Sequence, residues 1–312
     1  MKLFRTLVTL ALLAAFGLLV GVSAAQEAPA REVLVSTDWL ADNLNNPNVR
    51  VIEVSVVPGV YERGHIPNAS NFVWHTDLVN PFIRDIVSPE AFEALVQAAG
   101  INNDTTVVLY GDNNNWFAAW GAWIFNLYGH QDVRLLDGGR VKWEAEGREL
   151  SLTPPTVEAG NFTVTQINRE LRALLPDVLQ VVNGVETKAL VDIRGPKEYS
   201  GEIFAPEGVQ ELSVRAGHIP GAVNVPWGQN VNADGTFKSV EELRELYANL
   251  GIDGSTPIIT YCRIGERASL TWFVLSQLLG YDAAVYDGSW TEYGNVVGLP
   301  IVNQSGTIWG GQ

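Results

Sequence analysis

Two copies of one pattern run through this sequence in the same order, and a chain built this way must fold as a tandem. Gly64-His65-Ile66-Pro67 recurs as Gly217-His218-Ile219-Pro220, and Val51-Ile52-Glu53-Val54 is answered by Leu190-Val191-Asp192-Ile193. Ser88-Pro89-Glu90-Ala91-Phe92, running on to Gly100-Ile101, matches Ser239-Val240-Glu241-Glu242-Leu243, running on to Gly251-Ile252. Val107-Val108-Leu109-Tyr110 matches Ile258-Ile259-Thr260-Tyr261, and Leu136-Asp137-Gly138-Gly139 matches Tyr286-Asp287-Gly288-Ser289. Matching features in one order indicate duplication of a unit of roughly 120–140 residues, an ordinary domain size.

Each unit reads strand, loop, helix, strand, turn, helix, strand. Ser88 and Ser239 are expected N-caps, with Pro89 at the first helical position of one copy and a Ser239/Glu242 capping box in the other; Gly100 and Gly251 are expected stops. Short apolar strands alternating with capped amphipathic helices predict an α/β fold, each unit a mainly parallel sheet with helices on both faces. The Pro-containing stretch 151–160 is the expected linker between a first domain over residues 32–150 and a second over 161–303; residues 304–312 are an expected fraying tail. Ligands of such sheets sit beyond the carboxyl ends of the strands.

In the second copy that position is held by Cys262, the only cysteine of the chain. Residues 257–261 read as a buried strand and 268–279 as a helix ending at Gly280, so Cys262 lies at a strand-to-helix turn. Backbone N–H groups and the positive end of a helix dipole converge there, and Arg263 and Arg267 add charge, so the thiol is expected to ionise more readily than a free one. Gly265 supplies a loop conformation closed to residues bearing a Cβ. The competing reading is a small buried hydrophobe at a strand end. The first copy has Gly111 in place of the cysteine and Asp112-Asn113-Asn114-Asn115-Trp116 in place of the charged loop, so that half is expected to be degenerate and to wall the other's site. Trp116, Trp120 and Trp123 serve either its core or that contact.

Within 312 residues of 46% hydrophobic content there is ample material for packed cores. A net charge of −15 argues against nucleic acid or an anionic membrane surface as partner. Lys2 and Arg5 precede an uncharged apolar run, residues 6–22, and then Ser23-Ala24-Ala25; this reads as a signal peptide over residues 1–25 of an exported, periplasmic or extracytoplasmic protein, an uncleaved anchor being the alternative. One cysteine and four histidines give no metal-ligand spacing, and no cofactor or metal is expected. His65 and His218 occur in both copies of one turn, the active and the inactive alike, and are read as structural.

These residues resemble the tandem-domain rhodaneses, the thiosulfate and 3-mercaptopyruvate sulfurtransferases, over residues 33–302. The resemblance is carried by the double Gly-His-Ile-Pro motif, the degenerate first copy, Tyr261-Cys262-Arg263-Ile264-Gly265-Glu266-Arg267 and Tyr286-Asp287-Gly288-Ser289-Trp290, and it is nearest the bacterial thiosulfate sulfurtransferase branch. It implies two tandem rhodanese-like domains, with Cys262 as a nucleophile that takes the outer sulfur of a donor as a persulfide and yields it to a thiol or cyanide. It also implies that Arg263, Ile264, Gly265, Glu266 and Arg267 form the substrate-binding loop. Thiosulfate, a compact dianion, suits a loop with N–H donors and arginines. Arg267 is expected to cap the loop and Arg263 to face its mouth. Arg194, just after the strand at 190–193, is read either as a sulfonate ligand or as an ion-pair partner of Asp192 or Glu198.

The sequence departs from the mammalian-type thiosulfate enzymes, which carry a lysine where Ile264 stands, and from mercaptopyruvate enzymes, whose loops carry small neutral residues. A cysteine phosphatase would need its arginine one residue later, at Ala268. A non-turnover persulfide carrier or sensor shares the same chemistry. The protein is expected to act as a monomer.

Overall fold

The computed structural model describes residues 32–130, 132–210 and 212–310. The expected signal segment lies outside them. The first half runs β1 (Leu34–Val35), α1 (Thr37–Asn43), β2 (Val49–Glu53), β3 (Ala69–Asn71), α2 (Pro89–Ala98), β4 (Thr106–Tyr110), α3 (Trp116–Leu127), β5 (Val133–Leu136) and α4 (Gly139–Ala145). The second runs β6 (Arg172–Ala173), α5 (Leu175–Val182), β7 (Ala189–Asp192), α6 (Pro196–Ser200), β8 (Val223–Asn224), α7 (Val240–Ala248), β9 (Ile258–Tyr261), α8 (Glu266–Trp272), β10 (Ala283–Tyr286) and α9 (Ser289–Tyr293).

Each half contains a five-stranded sheet, ordered β1-β5-β4-β2-β3 and β6-β10-β9-β7-β8, in which every strand pairing is parallel. Central strands covered on both faces must be apolar along their whole length. Val107 to Tyr110 of β4 and all of β9 are accordingly buried. The caps form as the sequence predicts: Ser88 Oγ accepts the Ala91 N–H, and Ser239 and Glu242 exchange both bonds of a capping box. Gly100 and Gly251 end α2 and α7 with positive φ.

Alternate residues of a strand face opposite sides of its sheet. In β9, Ile259 and Tyr261 enter a core with Val178, Trp290 and Tyr293, while Ile258 and the following Cys262 enter the largest core. That core is continuous from one half to the other, because α3 packs directly on α8. Trp120 and Trp123 are fully buried in it, and Trp116 meets Trp227 of the second half edge to face at 4.7 Å between ring centroids. The tryptophan-rich helix is therefore core and inter-half contact at once.

Three further features concern the linker, the tail and the helix after the cysteine loop. Beyond the expected linker the chain stays with the first half: Phe162 is buried against Phe92, and Asn168 N–H donates to the Leu127 carbonyl before β6 joins the second sheet. The expected tail is tied down as far as its described residues run, with Gln304 and Ser305 N–H donating to the Ser200 carbonyl and Arg215 bridging to Ile308. The helix after the cysteine loop is α8 followed by a π-helical turn, Phe273–Leu278, rather than one regular helix to residue 279.

Candidate active site

Cys262 follows the central strand of the second sheet and carries no exposed surface. Its N–H donates to Ser289 Oγ at 3.1 Å, and the Ser289 hydroxyl donates to the Tyr286 carbonyl at 2.7 Å; its own carbonyl accepts the Trp290 N–H. The start of α9 thus fixes the cysteine backbone. Gly265, with φ +98°, turns the chain into α8 and aims its N–H at Cys262 Sγ, 3.1 Å away. A Cβ at residue 265 would lie 2.6 Å from the Trp120 ring and 2.9 Å from Asp287 Cα, so space as well as backbone conformation demands glycine. Trp120 comes from α3, so the degenerate half forms part of the loop's wall.

The charges are arranged differently from the sequence expectation. Arg267 is buried beside the loop, and its guanidinium forms a fork with Glu198, at 3.1 and 3.2 Å, while its Nε faces Glu266 at 3.6 Å. Two carboxylates therefore take up its charge. Glu266 Oε2 also accepts the Cys262 thiol proton, with Sγ at 3.4 Å. Burial first, and the Glu266 carboxylate second, push the Cys262 thiol up to about 11; Arg267 and the N–H groups of Ala268 and Gly265 pull it down without prevailing. The expected easily ionised thiol is corrected to a protonated one. The sequence displays the arginines of this loop but not their carboxylate partners. Arg263 is partly exposed on the loop, donating to the Gln210 carbonyl, and Ile264 is partly buried against the shared core.

Arg194 does not reach the loop's interior. Its guanidinium, 1% exposed, pairs with Asp192 at 2.6 Å and donates to the Gly217 carbonyl at 2.7 Å. The first half repeats this arrangement with a different arginine: Arg140 pairs with Glu53, the counterpart of Asp192, and donates to the carbonyl of Gly64, the counterpart of Gly217. A contact present in both halves ties the Gly-His-Ile-Pro turn to its sheet, which is the ion-pair reading of Arg194. The histidines of those turns are structural as well. His65 stacks on Tyr61 and contacts its carbonyl, and His218 does the same with Tyr199, where burial holds its ring below the ordinary histidine range. Among the described residues no group of three or more His, Cys, Asp or Glu could hold a metal ion.

The corresponding place in the first half is filled. Asn115 Oδ1 accepts the Gly111 N–H and its Nδ2 donates to the Leu136 carbonyl, as Ser289 does for Cys262 and Tyr286. Asn113, Asn114 and Asn115 all adopt positive φ, which asparagine tolerates better than most residues. The first half instead reaches across. Arg84 donates to the Ile264 carbonyl of the cysteine loop and lies 3.5 Å from the Asp287 carboxylate, over the faces of Trp74 and Trp120. Asp85 beside it pairs with Arg172, whose Nε donates to Asp287. Sequence reasoning gave no site role to Arg84, Asp287 or Ser289; of the two partners it offered Arg194, Asp192 is the one found, and Glu198 holds Arg267 instead. Only the duplicated Asp-Gly motif at 287–288 offered a signal.

The model of the rhodanese-like domain matches twice, at residues 36–146 and 175–295. The chain is 53% identical to the "Sulfur carrier protein TtuD" of Thermus thermophilus, over 86% of this chain and 96% of that one. It is 52% identical to the "Putative thiosulfate sulfurtransferase" of Mycolicibacterium smegmatis, over 86% and 97%. Among solved structures it is similar to SseA from Escherichia coli, a 3-mercaptopyruvate sulfotransferase, at 27% identity with a TM-score of 0.70, covering 83% of this chain and 99% of that one. With two domain matches, a parallel sheet in each half and these relatives, the chain belongs to the rhodanese family of sulfurtransferases.

Proposed function

We propose that this protein is a thiosulfate sulfurtransferase: Cys262 takes the outer sulfur of thiosulfate as a persulfide and passes it to a thiol or, in an assay, to cyanide. The observation that carries this reading is the cradle of Cys262, a thiol at the start of a helix with an N–H aimed at its sulfur from 3.1 Å, in the half that has kept its nucleophile. Thiosulfate as donor is supported by the names of relatives about half identical to this chain. It also suits the two cationic side chains with exposed surface at the loop, Arg263 and Arg84, where sulfonate oxygens would meet planar donors. Arg267, Glu198 and Asp287 act by positioning the loop. The protein is proposed to work as an exported monomer after removal of residues 1–25, which N-terminal sequencing of the mature protein checks.

A second reading is favoured by the complete burial of the thiol and by the relative named a sulfur carrier: Cys262 would load one sulfur and hold it for a partner. Steady-state release of sulfite and thiocyanate from thiosulfate and cyanide, with 3-mercaptopyruvate as parallel donor and Cys262→Ser as control, separates the readings. Many turnovers with thiosulfate, lost in the serine variant, are expected. A single equivalent of sulfite would favour the carrier, a mercaptopyruvate preference would change the donor, and retained transfer in Cys262→Ser would remove the cysteine from the mechanism.

A further inference from the structure

Attack on a sulfur donor requires Cys262 to give up a proton that its surroundings hold on sulfur. Burial first and the Glu266 carboxylate second push the thiol up, so the free thiolate is the minor form at neutral pH. The geometry offers a route that does not pass through the free thiolate. The thiol points its proton at Glu266 Oε2, and Glu266 is only 4% exposed. The other carboxylate oxygen, Oε1, is occupied by Arg267 Nε, and Arg267 is itself held by the Glu198 fork. One oxygen of Glu266 therefore faces a guanidinium across 3.6 Å and the other faces the reacting sulfur.

We propose that Glu266 is the catalytic proton carrier of this site, its Oε2 taking the Cys262 proton as Sγ bonds to the outer sulfur of the donor and delivering it to the departing sulfite. The inference rests on the reading of Cys262 as the sulfur acceptor and of thiosulfate as the donor. In the step, the S–H bond of Cys262 breaks towards Glu266 and the Sγ–S bond forms. The S–S bond of thiosulfate breaks with its electron pair leaving on sulfite, and the proton on Glu266 converts sulfite to hydrogen sulfite. A neutral thiol and a dianion thus become a persulfide anion and hydrogen sulfite, with no oxidant or reductant consumed. The charged groups around this pair are Arg267 and Glu198 within the second half, Asp287 after β10, and Arg84 reaching the loop from the first half. Of these, Arg267 alone touches the Glu266 carboxylate. It attracts Oε1 across 3.6 Å and leaves Oε2 directed at the sulfur.

A purely structural Glu266 would serve as an acid in the first turn of α8 and as a partner for Arg267. The two roles differ in sign at the sulfur. Without the negative charge the thiol ionises more readily, so a structural Glu266 predicts that Glu266→Gln loads sulfur as fast as wild type or faster. A proton carrier predicts the opposite. Rapid-mixing measurements of sulfite release and of the mass gain of one sulfur, with thiosulfate from mildly acid to alkaline pH, compare wild type, Glu266→Gln and Glu266→Asp. Expected is a loss of about 100-fold or more for Glu266→Gln at neutral pH, recovering as pH rises and the thiol ionises by itself, with Glu266→Asp keeping the wild-type shape of profile at a lower rate. Undiminished loading in Glu266→Gln overturns the proposal. Wild-type loading in deuterium oxide tests it without any variant: slower loading shows a proton in flight, and equal rates also overturn it. If wild type takes no sulfur from thiosulfate, the donor reading fails instead, which is a different result.

Discussion

Gly265→Ala puts one methyl group where the cradle leaves no room for it. The backbone at residue 265 has φ +98°, outside the region open to residues with a Cβ, and that alone costs roughly 1–2 kcal/mol. The new carbon would stand 2.6 Å from Trp120 and 2.9 Å from Asp287 Cα. Neither neighbour can retreat freely. Trp120 is fully buried between Trp74 and Trp123, with ring centroids 5.6 and 5.0 Å away, and the Asp287 contact is to backbone. Overpacking of this kind costs about 1–3 kcal/mol, so the total is about 2–5 kcal/mol against a native stability of about 5–15. Because the same residue aims its N–H at Cys262 Sγ, sulfur loading should fall with stability.

Gly228→Ala is the matched control. A Cβ there meets nothing within 4 Å, so that variant should be neutral or slightly stabilised, by up to about 1 kcal/mol. Urea unfolding reads both variants, with the slope checked so that a shifted midpoint reports stability. A change of less than about 0.5 kcal/mol in Gly265→Ala would refute the claim that Trp120 and Asp287 close this space.

Two further predictions concern the contacts that hold the loop. Arg84→Gly keeps the positive φ of that residue while removing the side chain that reaches Ile264 and Asp287. Its side chain is a third exposed, so the unfolding midpoint should move by less than about 1 kcal/mol while thiosulfate loading slows; unchanged loading would show that the first half contributes packing only. Glu198→Gln leaves Arg267 buried with half its fork, at a loss of about 3–5 kcal/mol near neutral pH. Burial raises the Glu198 carboxyl, and its bonds to Arg267 more than offset this and hold it below its ordinary 4.5. A carboxylate depressed in the folded state contributes stability above its unfolded value that is lost as pH falls through the folded one. The gap between wild type and Glu198→Gln should therefore narrow below about pH 4.5, and acid unfolding followed by circular dichroism measures it; a constant gap would mean the pair is not what stabilises Glu198.

What the sequence displayed and what it concealed divide along a physical line. Caps, helix stops, the succession of strands and helices along the chain and the place of Cys262 are local or repeated, and each is encoded within a few residues or by its counterpart in the other half. The state of the thiol is not local. Arg263 and Arg267 stand beside Cys262 in sequence, but the carboxylate fork on Arg267 comes from Glu198, sixty-nine residues earlier, and turns an apparent cationic cradle into a balanced one. Glu266 is adjacent in sequence, yet nothing in sequence says that its Oε2 turns towards sulfur rather than solvent. Arg194 reads both ways from sequence alone, because it follows the correct strand at the correct edge; its bonds to Asp192 and the Gly217 carbonyl, repeated by Arg140 in the inactive half, select the ion-pair reading and make it the anchor of a turn.

The two halves also show what a duplicated domain can do once it has lost its nucleophile. Asn115 occupies the bonds that Ser289 makes in the second half, so the first cradle is closed by an amide and not merely missing a cysteine. A domain relieved of chemistry is free to be shaped by its neighbour. Here it supplies Trp120, which excludes any side chain at residue 265, and Arg84, which holds the Ile264 carbonyl on the outside of the loop. Both contacts act on backbone, at the residues on either side of the Gly265 N–H that points at sulfur. If the cradle depends on them, the second half expressed alone would have to hold that N–H in place without the wall behind it. It would be expected to expose Trp227 and the apolar face of α8, and to load sulfur poorly even where its sheet remained folded.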